Sequence, residues 1–161
     1  MNIRPVKSED LKELCSILNE IIDIGGTTAY ETQLQEHQLD SHFVSGKDCI
    51  CCFVAEEKEL LLGFQALSHH ADLDEGWVNI TTFARVKPKV SGVGTSLFAS
   101  SKSYARQNEI KHINATIRAD NISGLAYYDK MGFKDYSVAK NVPLLDGTPI
   151  DRISKYIDVD H

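Results

Sequence analysis

The sequence predicts a mixed α/β layer fold with elements in the order β-α-α-β-β-β-α-β-α-β-β. Three observations carry this. Apolar residues recur at helical spacing in some stretches and at strand spacing in others; three β-type runs follow one another mid-chain as a meander, giving a mostly antiparallel sheet; and a glycine-softened strand-to-helix junction opens the C-terminal half. At 161 residues, with no linker, repeat or low-complexity stretch, the chain reads as one domain spanning 1–161.

Residues 2 to 6 read as a short strand. Ser8 is placed to cap a helix whose apolar positions Leu11, Leu14, Cys15, Leu18, Ile21 and Ile22 share one stripe, and Gly25-Gly26 ends it. Thr32-Gln33-Leu34-Gln35 has the S/T-x-x-E/Q form of a capping box and predicts a second helix to about Phe43. Cys49 to Ala55 and Leu60 to Ser68, separated by Glu56-Glu57-Lys58-Glu59, form a predicted hairpin, and after the acidic loop at 70–76 the β-branched run Trp77 to Val86 is its third strand. Gly92 to Asn108 carries Leu97, Phe98, Ser101, Tyr104 and Ala105 on one helical face. Ile113 to Arg118 alternates as a strand, Ser123 to Met131 is a short helix, and Lys134 to Asn141 with Ile150 to Ile157 form a terminal hairpin around Asp146-Gly147.

Composition excludes several classes. The longest apolar stretch, Cys49 to Ala55, is far shorter than the roughly 20 residues that cross a bilayer, so no membrane partner is expected. The N-terminal Met1-Asn2-Ile3-Arg4-Pro5 has no apolar leader pattern, which predicts a cytoplasmic protein. A net charge of −6 argues against nucleic acid as the main partner. Cys15 sits on an apolar helical stripe, and Cys49, Cys51 and Cys52 lie in a strand whose side chains alternate in direction; they read as structural thiols, with no metal site.

The segment from Val86 to Phe98 is where chemistry enters. Glycines remove side chains that would hold a ligand off the backbone, and the first turn of the following helix offers unpaired N–H groups at its positive end, so the expected ligand is a phosphate or pyrophosphate. A Walker loop fails for want of G-K-[ST], and a dinucleotide fingerprint fails at Leu97. What remains resembles the pyrophosphate loop of GNAT N-acetyltransferases, [QR]-x-x-G-x-[GA], with Lys89 in the basic or amide position and Gly92 and Gly94 matching. Further on, Asn121, Gly124, Tyr128, Lys130, Gly132 and Phe133 match that family's second signature, N-x-x-[AG]-x-x-x-Y-x-K-x-G-F.

The resemblance implies a GNAT-type sheet flanked by helices and acetyl-coenzyme A as acyl donor. Backbone groups of Phe83, Ala84 and Arg85 would face the pantetheine arm, and Lys89, Val90, Ser91, Gly92, Val93, Gly94 and Thr95 would hold the pyrophosphate. Asn121 matches a position that bonds the cofactor arm. Tyr128 matches the general acid that reprotonates the departing thiolate, also beside the cofactor; a phenol of pKa about 10 is a competent donor to a thiolate whose conjugate acid is near roughly 8.5. Tyr127 is expected only to pack.

Relatives often carry a glutamate base on the strand before or after the glycine loop, but Trp77 to Val86 and Ile113 to Arg118 contain no acid. The expected base is therefore a water relay, with Glu75 and His69 or His70 as side-chain candidates; His37, His42, His112 and His161 match no motif. The acceptor is expected to be a small primary amine, which Glu20, Asp23, Glu31, Asp72, Asp74 and Glu75 would attract. Asn19 to Tyr30 is faintly similar to phosphinothricin and amino-acid N-acetyltransferases, although those enzymes carry an acid where this chain has Thr81 and Thr82. A protein or peptide acetyltransferase and an idle acyl-CoA-binding module are the alternatives. A homodimer through the strand at Ile150 to Ile157 is a further expectation.

Overall fold

A computed structural model of the chain describes residues 1–160; His161 lies outside the described residues. The elements are β1 (Asn2–Pro5), a 3-10 turn (Ser8–Asp10), α1 (Leu11–Ile24), α2 (Glu36–Phe43), β2 (Cys49–Glu57), β3 (Leu60–Ser68), β4 (Trp77–Ala84), α3 (Val93–Gln107), β5 (His112–Arg118), α4 (Ile122–Lys130), β6 (Lys134–Pro143) and β7 (Pro149–Asp158). This is the predicted order, and the strands form one seven-stranded sheet, β1-β2-β3-β4-β5-β7-β6. Every neighbouring pair is antiparallel except β4 and β5, which run parallel across the crossover through α3.

The period-two pattern of the strands divides the core. On one face α1 and α2 cover β2, β3 and part of β4, burying Leu14, Leu18, Val54, Phe64 and Phe83 together. On the other, α3 and α4 cover Leu67, Ile80, Ile113, Ala115 and Ile117. Removing each of the larger of these side chains from water contributes about 1.5–3 kcal/mol, which holds the helices to the sheet.

Both helix starts differ from the sequence expectation, for tertiary reasons. Asp10, not Ser8, organises the first: its carboxylate accepts the Lys7 N–H at 2.8 Å and takes two bonds of 2.9 Å from Arg4. The hydrogen bonds from Arg4 hold the Asp10 carboxyl below its ordinary range, against the opposing effect of burial. The second helix begins at Glu36, with Gln38 accepting the Gln35 N–H at 2.8 Å, because Asn19 clamps Leu34 through both its N–H and its carbonyl and keeps residues 32–34 out of the helix.

The predicted dimer strand is also corrected. β7 is paired on both edges, with β5 and β6, so the strand left with an open edge at this end of the sheet is β6. Cys15, Cys49, Cys51 and Cys52 are free thiols; burial pushes Cys51 up to about 12 and Cys52 higher still. No described helix is long and apolar enough to cross a membrane.

Candidate active site

β4 and β5 pair only where Trp77, Val78 and Asn79 meet His112, Ile113 and Asn114. Beyond that point β4 follows β3 and β5 follows β7, so the two strands diverge and leave peptide edges unpaired in the middle of the sheet. The Arg85 N–H donates to the Leu62 carbonyl at 2.7 Å. In an antiparallel ladder alternate residues share a side, so Phe83 also turns its peptide groups to β3, whereas Thr82 and Ala84 turn theirs to the gap. The expected trio therefore divides. Ala84 faces the gap, Phe83 buries its ring between Phe43 and Phe64, and Arg85 is an anchor whose guanidinium binds Glu13 at 2.7 Å and the Leu61 carbonyl at 2.6 Å.

The loop entering α3 stands at the same end. Gly92 has φ +85°, a left-handed conformation that favours glycine, and its carbonyl accepts the Ser96 N–H at 3.0 Å as the helix begins. The N–H groups of Val93, Gly94 and Thr95 fall in the first turn, where a helix leaves donors unpaired. Lys89, Ser91 and Thr95 are exposed around them, with Val90 half-buried and Val93 buried beneath. The two glycines serve different purposes. A Cβ at Gly92 would meet open space, but one at Gly94 would come within 2.5 Å of the Tyr127 ring, so Gly94 makes room for that ring.

The second signature becomes legible as local geometry. The Asn121 side chain caps α4 by accepting the Gly124 N–H at 2.9 Å, and a Cβ at Gly124 would collide with it at 2.3 Å. Its amide donates to the Thr27 carbonyl at 3.2 Å, so Asn121 ties α4 to the α1–α2 connection. At the other end the Phe133 N–H returns to the Tyr128 carbonyl and the Gly132 N–H to Asp129, both at 3.0 Å, with Gly132 at φ +98°. This is a Schellman motif, and its customary apolar contact is the Tyr128–Phe133 ring pair at 5.0 Å. The Tyr-x-Lys-x-Gly-Phe pattern thus ends the helix so as to fix the Tyr128 ring.

The Tyr128 and Thr82 hydroxyls lie 2.8 Å apart. Gln65, fully buried on β3, donates through Nε2 to Thr82 Oγ1 at 2.8 Å and to the Tyr127 hydroxyl at 3.1 Å. The Tyr127 hydroxyl donates onward to the Gly94 carbonyl at 2.7 Å, which fixes it as the acceptor from Gln65. Tyr127 is therefore a link between α4 and the glycine loop, more than the packing residue expected. Burial pushes the Tyr127 phenol up to about 12 and raises Tyr128 further, against the opposing pull of Thr82, so both stay protonated at neutral pH. Gln65 and Thr82 belong to no motif; the signal for Gln65 was a lone amide in the apolar run of β3.

Glu75, His69 and His70 lie elsewhere. They line a separate surface cleft of about 470 Å³ beside Trp77 and Tyr104, at the end where β4 and β5 are still paired. Five steps of strand lead from Trp77 to Thr82, roughly 16 Å at a strand's rise, so none of the three adjoins the Tyr128 hydroxyl.

The face of β4, β5 and β7 turned toward the α1–α2 connection is polar. Thr81, Asn114, Thr116 and Ser154 share it, with the Thr116 and Ser154 hydroxyls 3.1 Å apart and Asn114 bonded to Asn79 at 2.9 Å. Trp77, Tyr136 and Tyr156 wall one end. Arg118 and Arg152 stand at the other, directly opposite each other across the β5–β7 ladder.

A sheet split between parallel strands, with a left-handed glycine and free helix N–H groups at its mouth and a phenol in its depth, is the frame of an acyl-coenzyme A-dependent transferase. The chain matches the acetyltransferase (GNAT) domain over residues 3–154, and it belongs to that family. Its fold is shared by a ribosomal-protein-alanine N-acetyltransferase from Brucella melitensis, 20% identical over 98% of this chain and 99% of that one, TM-score 0.83. It is shared too by an N-acetyltransferase from Staphylococcus aureus, 18% identical over 99% and 98%, TM-score 0.84. A phosphinothricin acetyltransferase from Sinorhizobium meliloti, solved with acetyl-coenzyme A, is 18% identical over 98% of this chain and 88% of its own, TM-score 0.85. No curated protein matches the chain.

Proposed function

We propose that this protein transfers an acetyl group from acetyl-coenzyme A to the primary amine of a small molecule, with Tyr128 as general acid. The observation that carries the reading is the hydroxyl chain at the gap. Gln65 donates to Thr82 Oγ1, which leaves the Thr82 hydroxyl proton free to point at the Tyr128 oxygen; Tyr128 then has its own proton to give. The raised pKa of Tyr128 keeps that proton in place until a thiolate needs it.

The residues present suit the donor. Thr82 and Ala84 offer strand-edge peptide groups for an amide-bearing arm, and Val93, Gly94 and Thr95 offer N–H groups to an anion beside Lys89. Acetyl-coenzyme A would supply the activated thioester. The chain supplies position, a proton at Tyr128 Oη, and a polar face for the amine. With no acid on β4 or β5, we assign removal of the amine proton to water over the Thr116 and Ser154 hydroxyls.

A small acceptor is favoured over a peptide because the α1–α2 connection is tied to the terminal hairpin. Both oxygens of Glu31, in the α1–α2 connection, accept the Leu145 N–H of the β6–β7 loop at 3.2 and 3.1 Å, a tie that a peptide laid between the two elements would have to displace. The test is thiol release from acetyl-coenzyme A across amino acids, polyamines, aminoglycosides and peptides, with calorimetry for donor binding. Acceptor-dependent release is expected; donor binding with no release from any amine would make the protein an idle binder, and no donor binding would overturn the reading.

A further inference from the structure

We propose that Tyr127 is a positioning residue that readies Tyr128 when the glycine loop is occupied. Its hydroxyl, held by the Gly94 carbonyl, fixes the Gln65 amide and so the direction in which the Thr82 hydroxyl gives its proton. The inference rests on the acetyltransferase reading and adds to it a link between donor binding and the acid.

Only one end of the buried Gln65 amide is held. Nε2 donates to Thr82 Oγ1 at 2.8 Å and to the Tyr127 hydroxyl at 3.1 Å, whereas Oε1 is shielded from solvent and has no hydrogen-bond partner among the described residues. Turned over, the amide would set its carbonyl oxygen where Nε2 now stands. That oxygen would take the Thr82 proton, and Thr82 Oγ1 would in turn accept from Tyr128, 2.8 Å away. The proton of the acid would then point into the chain instead of the gap. Either orientation leaves the far end of the amide unpartnered, so the groups facing its near end choose between them.

Tyr127 makes that choice. Its proton goes to the Gly94 carbonyl at 2.7 Å, which turns an oxygen lone pair toward Gln65; the lone pair accepts an N–H there and repels a carbonyl. Released from Gly94, the same hydroxyl would donate to a turned amide, and the two proton orders would compete. The Gly94 carbonyl shares one peptide group with the Thr95 N–H, a first-turn donor of α3. An anion bonded to that N–H polarises the group and strengthens its carbonyl as an acceptor, which holds the Tyr127 proton where the productive order needs it. The Tyr127 ring also lies so close to Gly94 that a Cβ there would come within 2.5 Å of it, so a movement of the loop reaches the ring directly. An unbroken chain of hydrogen bonds thus joins the first turn of α3 to Tyr128.

The test compares acetyl-coenzyme A with S-acetylpantetheine, which keeps the thioester and the amide arm but lacks the pyrophosphate, each at saturation with the amine that gives the fastest thiol release. In the unaltered protein kcat should be about tenfold higher with acetyl-coenzyme A, the worth of one orienting hydrogen bond. Tyr127→Phe keeps the ring and removes the hydroxyl. It should bring kcat for acetyl-coenzyme A down to the level of the short donor, with a much smaller loss on the short donor and little change in calorimetric affinity for coenzyme A. In a Thr82→Val background, where the chain is already cut, Tyr127→Phe should have no further effect on kcat. Apart from turnover, coenzyme A should move the NMR signals of the Gln65 side-chain amide farther than pantetheine does, and no farther than pantetheine in Tyr127→Phe. Equal kcat on the two donors in the unaltered protein, a Tyr127→Phe loss that is the same on both, or a Gln65 amide that answers both ligands alike would overturn the proposal and leave the acetyltransferase reading intact. Failure to bind coenzyme A would end both.

Discussion

At its N-terminal end β4 is paired on both edges, and the polar side chains gathered there, Glu75, His69 and His70, are exposed around a surface cleft. At its C-terminal end the strand has lost β5, and its hydroxyl, Thr82, is joined to Gln65 and Tyr128 in the interior. The first end holds titratable groups without a gap to serve, the second a gap served by groups that stay neutral. The difference teaches that a strand is a ruler. Residues adjacent in sequence to a catalytic strand lie roughly 3.3 Å farther off with each step along it, so proximity in sequence does not place a base.

The largest effect should come from the interior end. Tyr128→Phe should lower turnover by roughly 10²- to 10⁴-fold with donor affinity nearly constant, since only the proton donor is lost while the ring still packs on Phe133. Full turnover with chemistry rate-limiting would remove Tyr128 as acid. Burial-raised phenols also predict a rate that does not fall through Tyr128 ionisation below about pH 10, the ordinary tyrosine value. The sign for stability follows: folded values above the unfolded one add stability that is fully present below about pH 10 and lost as pH rises toward and past 12, measurable as an alkaline melt.

Gln65→Leu should reduce turnover by about tenfold, the cost of one orienting hydrogen bond, with a smaller effect on donor binding. Gly94→Ala should destabilise the fold by about 1–3 kcal/mol through the Tyr127 ring, and much less in a Tyr127→Ala background, where the clash is gone. An equal cost in both backgrounds would contradict the assigned role. The smallest effect belongs to the exposed end: Glu75→Gln and His70→Ala should each leave kcat/KM within about twofold.

Much of this was legible beforehand. The element order followed from periodicity, and the two signatures from Lys89 to Gly94 and from Asn121 to Phe133 named the family that the domain match shows. What the motifs concealed was their cause. Gly94 and Gly124 matched signature positions, and in the fold they make room for Tyr127 and Asn121, while the parity of the ladder turns the peptide groups of Phe83 and Arg85 toward β3. Thr32 matched a cap, yet Asn19, distant in sequence, decided where the helix starts. Gln65 and Thr82 came from two strands whose pairing no local pattern states, so their meeting at the gap required the register.

The most direct test of the working end of β4 is the change in backbone amide NMR shifts when coenzyme A is added. The peptide groups of Thr82 and Ala84 and the first-turn amides of Val93, Gly94 and Thr95 should move most, with Glu75 to Trp77 and Asn108 to Lys111 nearly still. Shifts concentrated at Glu75 to Trp77 and Asn108 to Lys111, with Thr82 to Thr95 unmoved, would place the donor in the other cleft and contradict this account.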